Sequence, residues 1–69
     1  MKLSTRNQLA GTVVAITTGE AMAVVKVEVA GGVVITSSIT KEAAEDLGLE
    51  VGSQVVALVK STEVALAVE

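Results

Sequence analysis

Sixty-nine residues suffice for one small domain, expected to span residues 1–69. The chain is 51% hydrophobic, carries a net charge of −3 and contains no Phe, Tyr, Trp, His, Cys or Pro. These absences exclude a thiolate nucleophile, an imidazole base, a disulfide framework and the usual kind of zinc centre, and they leave no aromatic platform for stacking a base. The acidic balance offers no broad attraction to nucleic acid or to an anionic membrane, so neither is expected as a partner. No enzyme is expected from such parts.

The opening Met1-Lys2-Leu3-Ser4-Thr5-Arg6 is polar and lacks the apolar run of a secretory signal. Apolar runs such as Val13 to Ile16 are far shorter than the roughly 20 residues of a membrane helix. A soluble, cytoplasmic, free-standing protein is therefore expected. The core of so short a chain supplies about 3–5 kcal/mol, and without disulfides the expected supplement is self-association.

Strand signals dominate from there. Residues 12–18 are rich in β-branched side chains and end at Gly19. Over 22–30, Ala23, Val25, Val27 and Val29 alternate with Lys26 and Glu28, the period-two pattern of a half-buried strand. Gly31-Gly32 reads as a tight turn with positive φ at both positions. Residues 33–38 form the third strand. Thr40 is placed to cap a helix over 41–47, with Gly48 as its left-handed terminator and Leu49 folding back on Ala44. Ala44 and Leu47 form the small apolar face expected to plug one end of the sheet. Residues 54–60 and 63–68 read as two further strands.

The predicted class is all-β with one short helix, and the order βββαββ is that of a five-stranded OB-like barrel. In the first strand, Val13 and Ala15 are expected to oppose Val14 and Ile16. In the fourth, Val55, Ala57 and Val59 oppose Val56 and Leu58. A barrel interior accounts for one of these faces only, so the second is expected to pack against another copy.

Five cationic side chains are available: Lys2, Arg6, Lys26, Lys41 and Lys60. Three stand beside hydroxyls, in Ser4-Thr5-Arg6, Thr40-Lys41 and Lys60-Ser61. Cations and hydroxyls together form a donor set suited to a small dianion. The alternative is that these are ordinary surface residues and that Thr40 only caps its helix.

The run Ser4-Thr5-Arg6-Asn7-Gln8-Leu9-Ala10-Gly11 resembles the Ser-Ala-Arg-Asn-Gln-Leu-Lys-Gly opening of the molbindins, the small Mop proteins whose fold is also the TOBE domain of molybdate transporters and regulators. Ile39-Thr40, Leu47-Gly48-Leu49, Gly52 and Val59-Lys60-Ser61-Thr62 resemble further landmarks in the same order, so the similarity covers the whole chain. It implies an OB-like barrel assembled as a homohexamer, a trimer of dimers, that stores or buffers molybdate or tungstate at subunit interfaces, with no pterin. It further implies anion ligands at Ser4, Thr5, Arg6, Lys60 and Ser61, with Thr40 contributed by a neighbouring subunit and Asn7, Lys41 and Ala43 as subsidiary positions. Ala10, Met22 and Ala43 depart from residues common in the family. The second reading it allows is a regulatory or structural TOBE unit of a transport or sensing system. OB-type nucleic-acid binding is the weaker third, for want of aromatics.

Overall fold

The computed structural model describes residues 2–69; Met1 lies outside the described residues. Four strands form one antiparallel sheet: β1 (Asn7–Thr18), β2 (Met22–Val29), β3 (Val34–Thr40) and β4 (Gln54–Val59), in the order β3-β2-β1-β4. A single helix, α1 (Lys41–Asp46), joins β3 to β4. β1 is the hub of the sheet. Its first half pairs with β4, from Asn7 against Val59 to Thr12 against Gln54, and its second half with β2, ending at Thr18 against Ala23.

β1 begins five residues before the expected start at residue 12, because its polar opening gains a ladder partner in β4 and no alternation is needed to hold it. Pairing with β2 slips between Val13 and Ala15, which leaves Val14 as a bulge without a partner. The bulge reverses the alternation. Val13 faces Val27 and Ile16 faces Val25, so both point inward, while Val14 and Ala15 are both exposed. This corrects the strict alternation expected for 13–16.

The hairpin between β2 and β3 closes over Ala30-Gly31-Gly32, with the Val29 amide donating to the Val33 carbonyl at 2.8 Å. Both glycines have positive φ, 81° and 77°, as expected, but the connection has three residues rather than two.

Val13, Ala23, Val25 and Val27 are the buried hydrophobic residues, and Ile16, Val29, Ile39, Leu49 and Val55 pack against this nucleus. The inward residues of β2 are those picked out by its alternation. α1 ends in a hydrogen-bonded left-handed turn. The Gly48 amide donates to the Glu45 carbonyl at 3.0 Å and the Leu49 amide to the Ala44 carbonyl at 3.1 Å. Gly48 has φ +62°, which a residue without Cβ adopts at little cost. This turn leads the chain inward at Leu49, whereas Leu47 is 69% exposed. Leu49, not Leu47, therefore closes the end of the sheet.

The expected fifth strand is absent from the described chain. After β4 comes a single 3-10 turn, Ser61–Glu63, and residues 64–69 are exposed with no ladder partner. A strand persists only while a neighbour satisfies its amides and carbonyls. The segment has the composition of a strand, but neither free edge of the sheet pairs with it. The sheet is accordingly a four-stranded open one, with β3 and β4 as its edges, rather than a closed five-stranded barrel.

Candidate anion-binding site

The candidate donors fall into two groups. Asn7 opposite Val59 is the outermost pair of the β1–β4 ladder. Arg6 precedes Asn7 and Lys60 follows Val59, so the two cations flank the same end of the ladder. Ser4, Thr5 and Ser61 stand immediately beyond them. Ser4, Arg6, Lys60 and Ser61 are exposed and Thr5 is half-buried.

Two side-chain amides hold this end together. Asn7 Nδ2 donates to the Val59 carbonyl at 3.0 Å, and Gln8 Nε2 donates to the Thr5 carbonyl at 3.0 Å. One bond ties β1 to β4 and the other pins the segment that carries Thr5 and Arg6. Two adjacent cations repel unless an anion lies between them. Strand pairing thus gathers two cations and several hydroxyls at one end of the ladder, a donor set of the kind a small oxyanion needs.

The second group is Thr40, Lys41 and Ala43 at the junction of β3 and α1. Thr40 pairs with Met22, beside the end of β1 that Thr18 occupies. The two groups therefore lie at opposite ends of the twelve-residue β1, about 35 Å of extended strand apart. Within one chain they do not meet.

Thr40 Oγ1 accepts the Ala43 amide at 3.0 Å, and the Lys41 amide donates to the Ala21 carbonyl at 2.8 Å. Two of the first amides of α1 are thus engaged inside the chain, and the Ala43 amide is not the free donor that its sequence position suggests. The Thr40 hydroxyl still has its own proton to donate. Thr40, Lys41, Glu20, Ala21, Glu42 and Glu45 line a shallow surface depression.

Residues 3–66 match the TOBE domain family. The chain belongs to that family and is a small protein of its Mop, or molbindin, type. It is 44% identical over its full length, and over the full length of the relative, to a probable molybdenum-pterin-binding protein of Haemophilus influenzae. MopII of Clostridium pasteurianum superimposes with a TM-score of 0.92 at 43% identity, covering 97% of this chain and all of that one. The cytoplasmic molybdate-binding protein ModG, in its molybdate-bound form, superimposes with a TM-score of 0.96 at 45% identity; the match covers all of this chain and 49% of ModG.

In this TOBE domain, sequence reasoning brought out the cations and hydroxyls but overlooked Gln8 as a positioning residue. Its signal was available: an amide side chain three residues after Thr5, inside the motif itself. The separation of Thr40 from Arg6 and Lys60 agrees with the family resemblance, which already put Thr40 on a neighbouring subunit; composition and spacing alone gave no sign of it, since it follows from which strands pair.

Proposed function

We infer that the chain binds molybdate as a homo-oligomer, with each dianion held at a seam where the Arg6–Lys60 end of one copy meets the Thr40 end of another. The observation that carries this reading is the pairing of Asn7 with Val59, which sets Arg6 and Lys60 side by side. Support comes from the molybdate-bound relative ModG, described as cytoplasmic, and from the molybdenum-pterin-binding name of the Haemophilus relative. The assembly is a hexamer built as a trimer of dimers, residues 1–69 act as one domain, and the role is cytoplasmic storage and buffering of the oxyanion.

Arg6 and Lys60 neutralise the two charges of the ligand. Ser4, Thr5, Ser61, the Thr40 hydroxyl and nearby amides supply the remaining donors, with Asn7, Lys41 and Ala43 shaping the two ends. Each hydrogen bond to the charged oxygens contributes about 1.5–3 kcal/mol. A site rich in donors favours molybdate and its isostructural counterpart tungstate over phosphate. At neutral pH phosphate largely retains a proton that must find an acceptor. The ligand is the bare oxyanion rather than a pterin complex, because the chain has no aromatic side chain to stack against a ring.

Calorimetry with molybdate tests the reading. Arg6→Ala and Lys60→Ala are each expected to weaken binding about 10- to 100-fold while the oligomer stays assembled. A mixture refolded from the Arg6→Ala/Lys60→Ala chain and a Thr40→Val chain should recover about one quarter of the sites, the share of seams in which both halves are intact. Wild-type affinity in both single variants, or no recovery on mixing, overturns the assignment.

A further inference from the structure

Two successive side chains, Asn7 and Gln8, stand at the start of β1, and each grips one carbonyl. Asn7 Nδ2 holds the Val59 oxygen and Gln8 Nε2 the Thr5 oxygen, both at 3.0 Å. The two captured oxygens have a feature in common. The Val59 carbonyl belongs to the peptide unit whose nitrogen is that of Lys60, and the Thr5 carbonyl to the unit whose nitrogen is that of Arg6. A peptide unit is planar and rigid, so holding its oxygen restricts where the next Cα lies. Each side-chain amide therefore aims one of the two cations.

The two cations need this because both lie beyond the ladder. Residues 2–6 precede β1, and Lys60 follows β4. From Lys2 to Ala10 the side chains are exposed, except that Thr5 is half-buried where Gln8 holds it. Successive strand residues point to opposite sides, which lets Asn7 reach across to β4 while Gln8 reaches back along its own chain. The support is unequal. The Lys60 carbonyl also accepts the Glu63 amide at 2.8 Å, so Lys60 is gripped before and behind, whereas Arg6 depends on Gln8.

We propose, resting on the reading that the anion sits between Arg6 and Lys60, that Asn7 and Gln8 are positioning residues, one for each cation. Gln8 acts through Arg6 and Asn7 acts through Lys60; neither adds to affinity by any other route. In the empty site the like charges push Arg6 and Lys60 apart. Two bonds formed before the anion arrives hold the cations where it will lie, so their ordering is completed on folding rather than on binding.

Crossed double-mutant cycles test this. Gln8→Met and Asn7→Leu keep the shape of each side chain and remove its donor. Each is placed in the native chain, in Arg6→Ala and in Lys60→Ala. Molybdate binding is measured by equilibrium dialysis, with sedimentation to confirm assembly. In the native chain Gln8→Met is expected to weaken binding about 5- to 10-fold and Asn7→Leu about 2- to 5-fold. In Arg6→Ala the Gln8 effect disappears and the Asn7 effect remains; in Lys60→Ala the pattern reverses. A general loss of structure would lower affinity equally in every background. Equal effects in all three, or none in the native chain, overturn the proposal. Backbone amide relaxation in the anion-free protein gives a second readout. Gln8→Met is expected to increase fast motion at Thr5 and Arg6 and to leave Lys60 unchanged; an equally rigid Arg6 overturns the Gln8 assignment. Wild-type affinity in both Arg6→Ala and Lys60→Ala is a different failure, since it removes the anion from this end altogether.

Discussion

Gly11 shows how tightly the strand pairing is built. It lies where β1 meets β2 and β4 at once, opposite Val29 on one side and Val55 on the other. A Cβ placed there would lie 2.6 Å from the Glu28 carbonyl oxygen and 2.7 Å from Val27 Cγ1. The carbonyl is part of the backbone and cannot swing aside. Gly11→Ala is expected to destabilise the fold by about 1–3 kcal/mol, read as a fall in thermal midpoint of about 4–8 °C for each kcal/mol. An unchanged midpoint would show that the two strands can part without cost. The glycine was visible in the quoted N-terminal motif, but its steric role was not, because the atoms it must avoid belong to residues sixteen and seventeen positions later.

At the scale of elements, α1 is too short to stand alone and depends on its two ends. Thr40 Oγ1 holds the Ala43 amide at the start, and the Gly48 turn closes the finish. Thr40→Ala should cost about 0.5–2 kcal/mol through the lost cap, whereas Thr40→Ser should retain most of the stability; denaturant titration of the pair measures both. Serine keeps the hydroxyl that makes the cap, while alanine removes it. Cap, terminator and β2 were legible because each is a local pattern of residue types. The Val14 bulge and the early start of β1 were not, since both arise from the register imposed by β2 and β4.

For the whole molecule, the outer face of the sheet supplies a second apolar surface. Val14, Val56 and Leu58 are 42%, 43% and 45% exposed, and Ala10 pairs with Val56 beside them. The buried nucleus is small for a chain in which half the residues are hydrophobic. In the proposed assembly this face meets another copy, and burying each such side chain contributes about 1.5–3 kcal/mol. Leu58→Lys is expected to lower the oligomer mass seen by native mass spectrometry while leaving the far-ultraviolet spectrum of the sheet unchanged. A full-size oligomer from this variant would remove the outer face from the assembly.

The amino-acid sequence by itself determined the all-β class with one short helix, the inward residues of β2, the two faces of β4, the helix ends and the types of donor available to an anion. Each of these depends on residues close together in the chain, through alternation, capping or chemical kind. Only the tertiary structure decided that Arg6 and Lys60 flank one end of β1 while Thr40 occupies the other, and that residues 63–68 form no fifth strand within the chain. Those outcomes depend on which strand finds which neighbour. Hydrogen-bonded pairing acts between residues far apart in sequence, and a stretch with every local mark of a strand is not a strand until an edge pairs with it.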